Sequence, residues 1–281
     1  MNIVYAIDKN VYKFALVSFA SLLINNKKSD INLYILCRKL PEYIINQFEK
    51  LNKIHKFNMQ IIEVNPKEFE GLPTLWLTVE TWFRLKLAEL LPAENKVLYL
   101  DCDTLIRGDI SEIYSRDMQD KDVIVRRENI SGMVEYLSLQ SGWYFNAGVI
   151  ICNLKNWREH ELTKRLFETA YNKKDFLKFS DQDVFNLVCD SSKISFNSGD
   201  VFLTWHSDKA KEHKIVHFIG PKPNNPACIS IKKYKKEWWK YAKQTPVYYS
   251  LYFNYLPKLI FNIAKVNKKT VITILGIKIS F

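Results

Sequence analysis

The first hundred residues alternate short apolar runs with longer segments in which apolar and polar residues mix at helical spacing. The short runs predict buried strands, and the mixed segments predict helices. The predicted strands are Ile3–Ile7, Ile31–Leu36, Met59–Val64 and Lys96–Leu100, and the predicted helices are Val11–Leu23, Pro41 to about Leu51, and Thr78–Leu91. This alternation indicates an α/β fold with a mainly parallel sheet between helices.

The second half of the chain is less regular. It predicts strands at Asp122–Val125, Gly148–Leu154 and Lys214–Phe218, and helices at Trp157–Tyr171 and Asp181–Cys189. Near residue 230 the composition changes to mixtures of Lys, Trp and Tyr, followed by two apolar segments. We therefore predict one domain over residues 1–230 and a basic, aromatic tail over residues 231–281.

Composition is that of an ordinary globular protein, with 47% hydrophobic and 25% charged residues among 281. The net charge is +11, a value that can indicate nucleic-acid binding. From Lys232 onward the chain carries eleven lysines and one acid, Glu237, a charge of +10, which leaves +1 for residues 1–231. Because the body is nearly neutral, we expect no nucleic-acid partner.

The cysteines, the first residues and the lengths of the apolar runs indicate the cellular compartment of the protein. The five cysteines are odd in number and form no CxxC pair, so a disulfide framework or zinc ribbon is not expected. Residues 1–8 lack a basic segment before the apolar run, unlike a secretory signal. No uncharged apolar run reaches the roughly 18 residues of a membrane span. We expect a cytoplasmic protein.

Two acids directly follow a predicted strand. Asp101 and Asp103 come after Lys96–Leu100, and ligands of such sheets bind beyond the carboxyl ends of strands. Side chains at i and i+2 point the same way on a strand, and two converging carboxylates repel unless a cation lies between them. Carboxylate oxygens suit Mg²⁺ or Mn²⁺. A surface loop with two solvated acids is the alternative.

Two chemistries use a DxD motif at a strand end. In phosphatases of the haloacid-dehalogenase type, the first Asp is a nucleophile, the motif continues to Thr or Val, and a second acidic pair follows. Here Leu105 occupies the Thr/Val position, and Gly199-Asp200 begins a second pair that no later acid completes. In nucleotide-sugar transferases, the cation bridges the diphosphate and neutralises charge on the leaving nucleotide.

Five further motifs favour the second chemistry. They are Asp8-Lys9-Asn10, Phe83-Arg84-Leu85-Lys86-Leu87, Tyr144-Phe145-Asn146-Ala147-Gly148-Val149, Ser180-Asp181-Gln182-Asp183-Val184-Phe185-Asn186, and Val216-His217-Phe218-Ile219-Gly220-Pro221-Lys222-Pro223. From about Ile3 to Pro223 the chain resembles glycosyltransferase family 8, in particular the bacterial lipopolysaccharide and lipooligosaccharide galactosyl- and glucosyltransferases. The resemblance implies a GT-A fold, a UDP-hexose donor, Mn²⁺, and retention of anomeric configuration.

The resemblance also implies which residues meet the nucleotide. Asp8 and Asn10 would contact uracil and ribose, Arg84 would project toward the donor, and Lys222 would reach the diphosphate. Three further donor-binding positions are implied: Ala6, Cys102 and Gly220. The alternatives are that Asp8 caps the first helix and that Arg84 lies on a solvated face.

A metal site of Asp101, Asp103 and His217 is implied in the same way. An imidazole beside two carboxylates favours Mn²⁺, with Mg²⁺ as the alternative ion. A core histidine that hydrogen-bonds within the fold is the other interpretation of His217.

The remaining implied positions concern the sugar. Asn146 would line it, Asp181 would hydrogen-bond its hydroxyls, and Gln182 would lie beneath the anomeric carbon. Because an amide oxygen is a poor nucleophile, we favour same-face attack with Gln182 stabilising the cationic state, and Asp181 is the rival nucleophile. Both Asp181 and Asp183 could instead complement a helix dipole.

Two departures from the family pattern stand out. Lys222 follows His217 by five residues instead of six, and Asn224 replaces Trp, so the phosphate loop is shorter. Arg126 and Arg127 precede Glu128, where the family often has an acid that contacts sugar or acceptor. We hypothesise that one of these arginines meets an anionic acceptor.

The tail interleaves lysines with aromatic residues. Basic residues near an anionic membrane contribute about 1 kcal/mol each, and Trp and Tyr favour the interface. We therefore expect peripheral attachment to the inner face of the cytoplasmic membrane, where a glycolipid or oligosaccharide acceptor is available. A C-terminal helix packed on the body is one alternative, and a non-enzymatic RNA- or membrane-binding protein is the other.

Overall fold

A computed structural model describes residues 1–75, 77–204, 212–225, 232–266, 269–275 and 277–280. The strands are β1 (Asn2–Ala6), β2 (Asn32–Cys37), β3 (Asn58–Glu63), β4 (Lys96–Leu100), β5 (Thr104–Ile106), β6 (Val123–Glu128), β7 (Tyr144–Asn153), β8 (Lys193–Ser195), β9 (Val201–Leu203), β10 (Ile215–His217), β11 (Phe261–Val266), β12 (Lys269–Ile274) and β13 (Ile277–Ser280).

The α-helices lie between these strands and at the end of the chain. They are α1 (Tyr12–Asn25), α2 (Glu42–Glu49), α3 (Leu87–Leu90), α4 (Ser111–Ser115), α5 (Met133–Leu137), α6 (Leu154–Glu159), α7 (Leu162–Lys173), α8 (Asp181–Val188), α9 (Lys232–Ala242) and α10 (Tyr248–Ile260). Four 3-10 helices span Lys50–Lys53, Pro66–Phe69, Val79–Lys86 and Lys174–Phe176.

The large sheet has the strand order β3-β2-β1-β4-β7-β6-β8. Its first four strands are parallel, β7 runs antiparallel to both β4 and β6, and β8 is parallel to β6. The predicted mainly parallel, mixed sheet is therefore confirmed. Because β1 and β4 are neighbours, the loops after both strands leave the sheet at the same edge.

Each face of the sheet carries its own core. Along β1, Ile3 and Tyr5 belong to the cluster under α1, whereas Val4 and Ala6 belong to the cluster on the opposite face. This alternation follows from the two-residue period of a strand. Both faces are covered, and for this reason the strand has an unbroken apolar sequence.

Several predicted elements have different bounds. The predicted helix Thr78–Leu91 is mostly a 3-10 helix, Val79–Lys86, and only its last turn is α3. The predicted helix Trp157–Tyr171 is two helices, α6 and α7, because Glu161 at φ +48° interrupts it. Strand β7 begins at Tyr144, four residues before the predicted strand.

A second, smaller sheet has the order β5-β10-β9. β10 is antiparallel to β5, and the register pairs His217 with Thr104. This pairing brings the end of β10 beside the Asp101–Asp103 segment, and the backbone N–H of Phe218 donates to the carbonyl of Asp103 at 3.0 Å.

The first part of the segment after residue 231 packs against the body of the protein. In α9, Trp238 is fully buried with its ring centroid 5.9 Å from that of Phe14, and Leu251 of α10 belongs to the same core cluster. Strands β11 to β13 then form a separate antiparallel sheet. The predicted division after residue 230 falls in 226–231, outside the described residues, and stays a prediction. Among the described helices none has both the length and the apolarity of a membrane span.

Candidate active site

Asp101, Asp103 and His217 meet at the carboxyl edge of β4. The Nε2 atom of His217 lies 3.5 Å from Oδ2 of Asp101 and 3.1 Å from Oδ1 of Asp103. The three groups offer ligand atoms that all lie within 4.8 Å of one another. Two carboxylate oxygens and one imidazole nitrogen at this separation fit a divalent cation such as Mn²⁺ or Mg²⁺.

Electrostatics at this cluster favour charged side chains. Burial alone would raise the pKa of Asp103, but the neighbouring Lys222 and His217 hold that pKa below its ordinary value. Burial would lower the pKa of His217, but the carboxylates of Asp103 and Asp101 raise it above 6.5. The cluster therefore keeps the carboxylate of Asp103 ionised and available as a ligand.

Gly148 makes the close approach of these groups possible. A Cβ built at this position would lie 2.5 Å from Oδ2 of Asp101, 2.7 Å from Nδ1 of His217, and closer still to the Cε1 atom of that ring. No side chain fits there without displacing the imidazole. Sequence reasoning did not single out this residue, although the glycine in Phe145-Asn146-Ala147-Gly148 was the available signal.

A buried ion pair lies beside the cluster. Nε of Arg84 is 3.0 Å from Oδ2 of Asp181, and its Nη1 is 3.2 Å from Oδ1 of Asp101. The hydroxyl of Thr81 donates to Oδ1 of Asp181 at 2.6 Å, and the guanidinium lies 4.4 Å from the ring centroid of Tyr99. Burial raises the pKa of Asp181 to about 6, although Arg84 and Thr81 oppose this shift.

The amide of Gln182 is held by four groups of the protein. Its Oε1 accepts from Nδ2 of Asn146 and from the N–H of Ala147, both at 3.1 Å. Its Nε2 donates to Oε2 of Glu128 at 3.1 Å and to the hydroxyl of Tyr144 at 2.9 Å. Sequence reasoning assigned no role to Tyr144, and it noted Glu128 only as the acid after two arginines.

A cavity of about 940 Å³ opens over these groups. Nine predicted site residues line it: Arg84, Asp101, Asp103, Asn146, Asp181, Gln182, His217, Gly220 and Lys222. The ammonium of Lys222 contacts Oδ2 of Asp103, and it donates to the carbonyl of Phe218 at 3.1 Å. A volume of this size suits a small-molecule ligand.

Four predicted donor-binding residues do not line this cavity: Ala6, Asp8, Asn10 and Cys102. Oδ1 of Asp8 accepts from the N–H groups of Asn10 and Val11 at 2.7 and 3.0 Å, in the turn that precedes α1, whose N-cap residue is Val11. The thiol of Cys102 donates to the carbonyl of Ala6 at 3.4 Å. Their contact with a nucleotide stays a prediction.

Two other sequence observations receive a structural context. The guanidinium of Arg127 lies 4.5 Å from the ring centroid of Trp143. Asp200, which would have belonged to a phosphatase motif, forms an ion pair with Arg116 at 2.8 Å. Asp200 therefore has a partner outside the Asp101 cluster.

Comparisons with known proteins agree with this geometry. The model for "Glycosyl transferase family 8" matches residues 2–223. The lipopolysaccharide 1,2-glucosyltransferase of Escherichia coli K12 is 27% identical over 260 residues, which are 84% of this chain and 76% of that protein. The lipopolysaccharide 1,3-galactosyltransferase of Salmonella typhimurium LT2 is 26% identical over 243 residues, 78% of this chain and 71% of that protein.

A solved structure is similar over most of its length. The galactosyltransferase LgtC, crystallised with donor and acceptor sugar analogs, is 26% identical, with a TM-score of 0.79 over 88% of this chain and 96% of that one. All thirteen predicted site residues lie within the range that the family model matches.

Proposed function

Because the chain belongs to glycosyltransferase family 8 and is a glycosyltransferase of the GT-A fold, we propose that it transfers a hexose, galactose or glucose, from a UDP-sugar to a lipopolysaccharide or lipooligosaccharide acceptor. The observation that carries the proposal is the cluster of Asp101, Asp103 and His217 at the floor of a cavity of about 940 Å³. Such a cluster can hold a divalent cation that neutralises the diphosphate of a sugar nucleotide.

In this proposal Asp101, Asp103 and His217 hold Mn²⁺, with Mg²⁺ as the weaker alternative. When bound, the ion supplies positive charge that neutralises the diphosphate as it leaves. Lys222 adds a second positive charge at the same end of the cavity, where its ammonium contacts Asp103. The acidic cluster is thereby adapted to a ligand that is itself an anion.

The contacts of Asp181 and Gln182 favour same-face attack over a covalent intermediate. Both carboxylate oxygens of Asp181 are engaged, one by Thr81 and the other by Arg84, and the side chain is buried. An attacking nucleophile would have to leave both partners. The carbonyl of Gln182 is neutral and accepts two hydrogen bonds, so its role is to present a dipole rather than to attack.

We also propose that the C-terminal segment attaches the enzyme peripherally to the inner face of the cytoplasmic membrane. Support comes from a group of exposed apolar residues at the end of the chain: Tyr249, Tyr252, Phe253, Ile260, Phe261, Ile263, Ile274, Leu275, Ile277 and Ile279. The same segment carries most of the net charge. Apolar side chains and lysines together suit an anionic interface.

A donor panel tests the proposed reaction. Purified enzyme is incubated with Mn²⁺ and several UDP-sugars, and release of UDP is measured with and without a lipooligosaccharide acceptor. We expect release from UDP-galactose or UDP-glucose that chelation abolishes. The variant Asp101→Asn should lose at least 100-fold of this activity, whereas Asp120→Asn, an exposed acid elsewhere, should not. Hydrolysis of small phosphomonoesters without any UDP-sugar turnover would contradict the proposal.

A further inference from the structure

Ser180 has a strained backbone conformation directly before Asp181 and Gln182. Its φ and ψ angles are +48° and −125°, and the residue is fully buried. These angles are close to those of the first central residue of a type II′ turn, a position that glycine normally fills. Because a Cβ atom makes this conformation unfavourable, the surrounding structure must hold Ser180 in it.

Hydrogen bonds on both sides of Ser180 hold this turn. The backbone N–H of Gln182 donates to the carbonyl of Phe179 at 3.0 Å, which closes a four-residue turn around Ser180. The N–H groups of Lys178 and Phe179, just before the turn, donate to Oδ2 of Asp183 at 2.7 and 2.9 Å. The chain therefore turns immediately before α8, and the first two residues of α8 line the cavity.

The hydroxyl of Ser180 distinguishes serine from the glycine that this backbone would favour. Its Oγ donates to the carbonyl of Pro73 at 3.1 Å, although the two residues are 107 positions apart in the sequence. Glycine would adopt the same backbone angles without strain, but it has no hydroxyl that could reach Pro73. The strain of a serine at this position is thus linked to one side-chain contact.

Pro73 begins a segment that also lines the cavity. We call residues 73–75 and 77–81 the wall segment, because Leu77 and Thr81 are lining residues. The hydroxyl of Thr81 donates to Oδ1 of Asp181 at 2.6 Å. Two hydrogen bonds therefore connect the wall segment to the start of α8, one from Thr81 and one from Ser180.

We propose that Ser180 is a positioning residue for sugar transfer, and that its hydroxyl fixes the wall segment relative to Asp181 and Gln182. The inference rests on the proposed function, because it concerns the residues expected at the donor sugar. Among the described residues, Ser180 is not one of those that line the cavity. It therefore acts through its neighbours in α8 and through Pro73, and loss of its hydroxyl lets the two walls of the cavity shift relative to each other.

Two substitutions separate the hydroxyl from the strain. Ser180→Ala removes the hydroxyl and keeps a Cβ atom in the strained conformation, whereas Ser180→Gly removes the hydroxyl and relieves the strain. With UDP-galactose or UDP-glucose and a soluble acceptor, we expect both variants to lose about 10-fold or more in kcat, because misplacement by about 1 Å can cost about 100-fold in rate. KM for the donor should stay within about threefold of wild type, since the groups that would hold the diphosphate are unchanged.

Thermal denaturation of the same two variants gives a result that a purely structural role would not produce. Ser180→Gly should unfold at least about 2 °C above Ser180→Ala, because glycine adopts a positive φ without strain. Equal losses of kcat at different stabilities would show that the rate depends on the hydroxyl. The inference is wrong if Ser180→Gly keeps the kcat of wild type, and this variant decides the question alone if Ser180→Ala does not fold.

Ser138 provides a matched control. It is an exposed serine at φ +54° that follows the last residue of α5. Ser138→Gly removes a hydroxyl and relieves a positive φ in the same way, and it should leave kcat unchanged. An equal loss of kcat in Ser138→Gly would show that the effect at Ser180 is not specific to its contact with Pro73.

Hydrogen exchange without substrate distinguishes failure of this inference from failure of the proposed function. In the wall segment, the N–H of Leu77 donates to the carbonyl of Thr74 at 2.8 Å. We expect this amide to exchange about 10-fold faster or more in Ser180→Gly than in wild type, because the segment has lost one of its two connections to α8. Unchanged exchange would overturn the inference whether or not the enzyme turns over a UDP-sugar. Absence of UDP release by wild type would count against the proposed function.

Discussion

Gly148 is a residue whose missing side chain sets the geometry of the site. Gly148→Ala would put a methyl group 2.5 Å from Oδ2 of Asp101 and against the ring of His217, so one of the two must move. We expect Mn²⁺ affinity to fall at least 10-fold and the protein to lose about 1–3 kcal/mol of stability through overpacking. Calorimetric titration and thermal denaturation measure the two effects.

Gly108→Ala is the control for this substitution. A Cβ at Gly108 would have Lys214 Cγ as its nearest neighbour at 3.9 Å, an ordinary contact, and this position has no positive φ. The control should bind Mn²⁺ like wild type. Equal losses in both variants would show that the geometry around His217 is not what Gly148 preserves.

Asp181 predicts a pH dependence of stability with a definite sign. Its pKa is about 6 in the folded protein and 3.8 when unperturbed, so the folded state holds its proton over that interval while the unfolded state does not. Because the two pKa values differ, ionisation of Asp181 lowers the free energy of unfolding by up to about 3 kcal/mol as pH rises from about 4 to 6. Wild type should therefore lose unfolding free energy relative to Asp181→Asn over this range.

Urea denaturation of both proteins at intervals between pH 4.5 and 7 measures the difference. Asp190→Asn is the control, because hydrogen bonds from Ser141 and Lys193 outweigh burial and hold the pKa of Asp190 below its ordinary value of 3.8. The stability that Asp190 contributes is complete above its ordinary pKa, so this variant should differ from wild type by a constant amount between pH 4.5 and 7. If the difference in unfolding free energy between wild type and Asp181→Asn does not change with pH, the raised pKa of Asp181 is contradicted.

At the residue scale, the sequence predicts the ligands better than their supports. Asp101 and Asp103 are visible because a strand of apolar residues precedes them, and His217 because it ends another. Glu128 and Tyr144 reach Gln182 only because β6 and β7 are neighbours in the sheet. A contact that depends on strand order leaves no signal in the local sequence.

At the scale of elements, the apolar runs predict β1, β2 and β4 because those strands are buried on both faces, whereas the edge strand β3 is largely exposed or half-buried. The strand β5 is only three residues long and has no period to detect, and its pairing with β10 defines it. The segment Val79–Lys86 has helical spacing but forms a 3-10 helix. Apolar spacing alone does not distinguish a 3-10 helix from an α-helix in so short a segment.

The packing of helix α9 indicates that the folded body extends beyond residue 231. Trp238 is fully buried, 5.9 Å from Phe14 and edge-on to Trp239 at 5.1 Å. Trp238→Ala should lower the free energy of unfolding by about 3–5 kcal/mol, as for large buried aromatic residues elsewhere. Lys240→Ala, an exposed position on the same helix, should change it by less than about 0.5 kcal/mol. If Trp238→Ala and wild type have the same free energy of unfolding, α9 belongs to a tail that is separate from the body.

At the scale of the whole molecule, exposed apolar surface and charge coincide at the end of the chain. On α10, Tyr249 and Phe253 stand one turn apart with 69% and 64% of their surface exposed. In the C-terminal sheet, the register pairs Phe261 with Ile274 and Ile274 with Ile277, so these apolar residues share one face. Exposed apolar surface of this kind is unfavourable in water, and contact with a membrane or a partner would cover it.

Substitution of the exposed pair tests attachment without cutting the chain. We expect Tyr249→Ser with Phe253→Ser to weaken co-sedimentation with phosphatidylglycerol vesicles at least 10-fold, because two aromatic groups no longer enter the interface. Turnover of a soluble acceptor should not change, since neither residue lines the cavity. Tyr43→Ser, with 56% exposure on the body, is the matched control.

Raising the salt concentration should release wild type by screening its lysines. Vesicle binding equal to that of wild type would contradict attachment through this exposed face.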